Sequence, residues 1–146
     1  MKRRRQVGAL SVVVVGALAI TAGVGLAGGT ASASASVVPR TMVGCWHRHV
    51  PALPVGTSAG VWLLKITPAG KLVAYTPGSK GCGAYADFTA TVSVAGSRLT
   101  IGSVPICATK GVYAWKAAAS TLTLHATSDK SCSPRALLFT GVWKKT

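Results

Sequence analysis

The chain has 146 residues, with 16 Lys and Arg against two acids, Asp87 and Asp129, for a formal charge of +14; 49% of its residues are hydrophobic. That length supports one domain, not two, and the hydrophobic fraction is too high for a disordered basic tail. Two carboxylates so far apart in sequence leave little material for paired-carboxylate chemistry or an oxygen-ligated Ca or Mg site.

The first 35 residues have the tripartite pattern of a secretory signal. Lys2, Arg3, Arg4 and Arg5 form a positive start. Val7 to Leu26 is an apolar run, and small residues then alternate through Ala31, Ala33 and Ala35. Cleavage is expected after Ala33 or Ala35. The alternative is a permanent membrane anchor, against which the small-residue pattern and the interrupting glycines argue. No Cys follows at a lipoprotein position, and the residues after the arginines do not suit a twin-arginine signal. The expected organisation is a leader at 1–35, a linker at 36–42 and one domain at 43–146, secreted.

Cleavage after Ala35 leaves 111 residues and removes four of the 16 cations, for a charge of +10. Cys45, Cys82, Cys107 and Cys132 all fall in the remainder. An even count in a small exported domain predicts two disulfides, with three possible pairings. The cysteine spacings do not resemble zinc knuckles.

The exported part reads as eight strands: 43–50, 60–67, 71–76, 85–94, 98–103, 111–117, 121–127 and 136–144. Period-two runs separated by turn residues carry this reading. In 85–94, Ala86, Phe88, Ala90, Val92 and Val94 face one way, with Tyr85, Asp87, Thr89, Thr91 and Ser93 opposite. In 121–127, Leu122, Leu124 and Ala126 oppose Thr121, Thr123, His125 and Thr127. Pro68-Ala69-Gly70, Ala95-Gly96-Ser97 and Ala118-Ala119-Ser120 are short turns that force antiparallel neighbours. The predicted fold is all-β, an eight-stranded antiparallel up-and-down meander barrel, which leaves no open edges. A β-sandwich is the second choice and needs longer crossovers.

In a meander, alternate loops share an end. The long loops 51–59, 77–84, 104–110 and 128–135 therefore cluster at one mouth. Cys82, Cys107 and Cys132 belong to that set, whereas Cys45 starts the first strand at the other end. Cys107–Cys132, with Cys45–Cys82 left over, is the preferred pairing, although Cys45 then has to be reached from the mouth.

Gly44-Cys45-Trp46 at the first strand resembles the Gly-x-Trp motif of lipocalins and related calycins. Gly111-Val112-Tyr113-Ala114-Trp115, Leu122-Thr123-Leu124, Asp129 with Cys132 and Arg135, and Gly141-Val142-Trp143 resemble small secreted lipocalin-like proteins of bacteria. The resemblance covers about residues 43–146. It implies that Trp46 packs at the closed end under a basic side chain after the last strand, where Lys144 or Lys145 stands. Lys in place of Arg stacks less well on an aromatic face, and the C-terminal helix of larger lipocalins has no counterpart before Thr146.

An eight-stranded barrel is filled by side chains or holds one small ligand. The candidate ligand-binding set is Trp62, Leu64, Phe88, Tyr113, Trp115, Leu124 and Phe139, with room left by Ala90 and Gly141 and with Tyr113 orienting the ligand. The competing role for each is plain core packing. Cys45, His47 and His49 share one side of the first strand, but no metal site or cofactor is expected, since Cys45 is expected to be oxidised. No Gly-x-Ser-x-Gly elbow is present, so a non-enzyme is expected.

Basic residues are scattered, with no run above two after the leader, which argues against a nucleic-acid element. They suit anionic envelope components. The first expectation is a monomeric carrier of a small hydrophobic or amphipathic molecule in the barrel. The second is an envelope- or protein-interaction module acting through basic loops at the mouth.

Overall fold

The structure is a computed structural model that describes residues 37–53, 58–129 and 132–146. The leader, the cleavage site and Lys130 lie outside the described residues. The barrel residues belong to a compact unit spanning Ser34–Thr146.

The element order is a one-turn 3-10 helix, Arg40–Met42, then β1 (Gly44–Val50), β2 (Gly60–Ile66), β3 (Lys71–Tyr75), β4 (Phe88–Ala95), β5 (Arg98–Ile101), β6 (Gly111–Ala117), β7 (Thr121–Ser128), α1 (Ser133–Phe139) and β8 (Gly141–Lys145). Each strand pairs antiparallel with the next, and β8 closes on β1, so the eight form a closed meander barrel. The closing seam is short: Trp46 opposes Lys145 and His47 opposes Lys144. Thr146 extends it by donating its N–H to the Cys45 carbonyl.

Period two governs the faces. On β2, Trp62, Leu64 and Ile66 point inward and are buried, whereas Val61 and Lys65 are exposed. On β4, Ala90 and Val92 are buried between the exposed Thr89, Thr91 and Ser93. Leu72, Leu99, Ile101, Tyr113, Leu122, Leu124 and Trp143 complete the interior cluster.

Val38 and Met42, from the segment expected as a linker, are buried in the core. Met42 is fully buried, and its carbonyl accepts the Trp46 indole N–H at 2.9 Å. Lys145, not Lys144, places its Nζ over the Trp46 ring, 5.4 Å from the centroid. The last residue of β8 is thus the basic neighbour of the Trp46 ring. Lys144 faces outward and is exposed.

Both disulfides form as preferred, Cys45–Cys82 and Cys107–Cys132. The difficulty of reaching Cys45 is resolved by the long connection between β3 and β4. Tyr75 donates its hydroxyl to the Cys82 carbonyl at 2.8 Å. A Cβ on Gly60 would stand 2.7 Å from Pro77. The connection therefore folds back over the outer wall of β1–β3, burying Leu63 and Tyr75, a register pair outside the interior cluster. For this reason β4 begins at Phe88 rather than at residue 85: the preceding residues leave the sheet to make the cover, and Tyr85 is 95% exposed.

The eighth strand differs most from expectation. Residues 133–139 form α1, and β8 starts only at Gly141. Pro134 in the first turn supplies a pre-set φ, and Arg135, Ala136, Leu137 and Leu138 favour helix. Arg135, Leu138 and Phe139, at spacings of three and four, form the buried face.

Candidate functional site

The sequence points to two places where function can reside: the barrel interior and the basic loops at its mouth. Inside, Leu64, Tyr113, Leu124 and Phe139 are at most 1% exposed and Trp62 is 4% exposed. All five belong to the interior cluster. Phe88 and Trp115 are half-buried against the same cluster. Phe139 comes from α1, not from a strand, and its ring meets those of Phe88 and Tyr113 edge-on, each 6.2 Å between centroids.

Tryptophan polar handles are spent internally. Trp46, Trp62 and Trp143 each donate to the carbonyl four residues upstream, Met42, Ser58 and Phe139, at 2.9 Å. Trp115 donates to the Gly96 carbonyl at 3.0 Å. Each ring is thereby fixed in orientation.

At the mouth, α1 is tied to the strands. Arg135, fully buried, donates its Nε to Asp129 Oδ2 at 2.9 Å and an Nη to Oδ1 at 2.5 Å. It also bonds the carbonyls of Gly102 and Thr109. Tyr113 donates its hydroxyl to Asp129 Oδ2. The Asp129 bonds, together with burial, act on the partners: the bond to Asp129 raises the Arg135 pKa, and burial, then the bond to Asp129, raises that of Tyr113. Charge and hydroxyl are thus held in one protonation state, which suits a structural tie more than proton transfer. Gly111 makes room: a Cβ there would sit 2.5 Å from Asp129 Oδ2.

A second tie comes from β1. Arg48 faces inward, donates to the Leu138 carbonyl at 2.8 Å, and lies 5.8 Å from the Trp143 ring centroid. Burial lowers its pKa. Gly141 was expected to leave space for a ligand; instead Arg48 takes it, since a Cβ on Gly141 would stand 2.6 Å from Arg48 Nε.

Cys45 is bonded to Cys82 and so offers no thiolate beside His47 and His49. Among the described residues no group of three or more His, Cys, Asp or Glu is placed to hold a metal. The Asp129 carboxylate serves Arg135 and Tyr113, while His125 is exposed on the outer wall. Two open depressions are present: about 450 Å³ beside Lys71, Thr89, Thr91 and Ser103, and about 310 Å³ between the end of β7 and α1, beside Thr127, Asp129, Ser133 and Ala136.

Asp129 and Arg135 stood in the sequence as part of a family-like pattern, but not as partners. Their flanking of Cys132 and Pro134 was the available signal. Arg48 had only its strand parity with Trp46 to mark it as inward.

The fold is consistent with a lipocalin-like barrel. Compared with protein-family models, with curated proteins and with solved structures, the chain gives no significant match.

Proposed function

We propose that this protein is an exported, non-enzymatic binding module that works through its outer surface on anionic components of the cell envelope, and that its interior is structural. One observation supports this reading: Met42 and Trp46 are buried at one end, and at the other Asp129, Arg135 and Arg48 tie α1 to the barrel. Two disulfides fit an oxidising compartment, in line with the leader-like residues 1–35. The surface charge supports an anionic partner. Asp129 is consumed inside the protein by Arg135, so Asp87 is the acid left facing solvent.

Carriage of a small apolar or amphipathic molecule in the barrel is the reading this replaces; it requires α1 to leave the mouth. Native mass spectrometry of the processed, oxidised protein separates the two. The expected result is the bare chain mass, together with salt-sensitive retention on immobilised linear polyphosphate or on vesicles containing phosphatidylglycerol. A co-purified apolar molecule, with no retention on either anionic probe, would restore the carrier reading.

A further inference from the structure

The cations are sorted by pole, and not toward the mouth. Call the end bearing the three short turns the hairpin pole. Lys65 and Lys71 flank the β2–β3 turn, Arg98 starts β5, Lys116 is next to last in β6, and Lys144 and Lys145 end β8. All six are exposed. Arg40 joins them from the 3-10 helix before β1 and is also exposed. Both acids lie at the opposite end: Asp87 directly precedes β4, and Asp129 directly follows β7. One pole therefore carries seven cationic side chains and no Asp or Glu among the described residues.

The register makes these a collar. Arg98 opposes Ala114 and Lys116 opposes Thr123, while Lys144 opposes Thr121 and His47. Neighbouring strands lie about 4.8 Å apart and residues on one face recur about every 6.6 Å, so adjacent collar charges stand on the order of 10 Å apart. The turn tips inside the collar are small: Ala69, Ala95, Gly96, Ser97, Ala118 and Ala119. Pro68 is the largest side chain at these tips, and none of them is aromatic.

From this we infer that the hairpin pole is the docking surface, and that its partner is a lipid surface bearing anionic headgroups. The inference rests on the exterior-binding reading above and assigns it a place and a partner. Charge complementarity supplies the attraction, at about fivefold in affinity per Lys or Arg near such a surface. Val38, two residues before Arg40, is buried close to Gly70 in the β2–β3 turn, which places Arg40 at this pole.

The test is co-sedimentation of the processed protein with vesicles of phosphatidylglycerol and phosphatidylcholine, against vesicles of phosphatidylcholine alone. Lys71→Gln and Arg98→Gln are each expected to weaken binding to the anionic vesicles about fivefold, and the pair about 30-fold. Lys110→Gln removes the same charge at the mouth. Lys110 and Lys116 bracket β6, about 20 Å apart, more than two Debye lengths at physiological salt, each about 8 Å. Lys110→Gln is therefore expected to bind as the parent does. All three side chains are exposed, and circular dichroism confirms that the variants fold. Equal losses at pole and mouth would overturn the assignment of the pole and leave exterior binding standing. Retention on linear polyphosphate without vesicle binding would overturn the lipid partner. Failure to bind either probe would remove the exterior reading itself.

Discussion

Asp129 is one of two acids in the chain, and it is spent on a buried ion pair with Arg135. Such a pair is costly to desolvate, so its removal from one side leaves an uncompensated charge. Asp129→Asn is expected to cost about 3–5 kcal/mol, read as a drop in the midpoint of urea unfolding. Replacing both partners, Asp129→Leu with Arg135→Met, should recover part of that loss. Tyr113 acts through pH. Its folded-state pKa is raised above the unfolded value near 10. Above about pH 10 the unfolded chain releases a proton that the folded chain retains. Stability therefore holds below that pH and falls as pH rises past it. Tyr113→Phe is expected to cost about 1–2 kcal/mol at neutral pH, through the lost bond to Asp129, and to flatten the alkaline limb. An unchanged limb in a pH series of melting curves would refute this role.

At the scale of elements, α1 decides whether this barrel is a cup or a closed cylinder. The helix is only seven residues long, too short to be stable alone. It is held by what surrounds it: Cys132 at its N-cap is bonded to Cys107, Arg135 reaches across to Gly102 and Thr109, and Arg48 donates to its Leu137 and Leu138 carbonyls. That last contact also places a cation at the negative end of the helix dipole. Cys107→Ser with Cys132→Ser opens a 25-residue loop and is expected to cost roughly 3 kcal/mol. Hydrogen exchange should rise first in α1 and in the β5–β6 connection. If protection in α1 is unchanged, the disulfide does not anchor the plug.

The whole molecule has a surface of nearly one sign. Its buried ion pair is sheltered from salt, whereas the exposed cations repel one another. Raising ionic strength from low to physiological is therefore expected to raise the melting temperature, while weakening attachment to anionic partners. A protein held together by surface ion pairs would do the opposite on the first count. The seven cations at the hairpin pole make the repulsion local, so Lys71→Gln with Arg98→Gln should reduce this salt dependence.

Much of the fold was written locally. Alternation in Thr89–Val94 and Thr121–Thr127 fixes two faces per strand, and Gly-containing turns force the meander; both depend on neighbours a few residues apart. The even count of cysteines marked an oxidised domain on the same local basis. What the tertiary structure alone decided depends on residues distant in sequence. Ser-Pro-Arg-Ala-Leu-Leu-Phe is apolar enough to pass for a strand, and becomes a helix because Asp129, Thr109 and Arg48 offer partners at the mouth. Gly141 looked like space for a ligand until β1 laid Arg48 into it. Basic residues spread evenly along the chain gather at one pole because antiparallel hairpins return every second turn to the same end. Period and turn chemistry are properties of a stretch of chain, whereas the filling of a cavity and the sign of a surface are settled only when strands eighty or more residues apart, such as β1 and β8, come together.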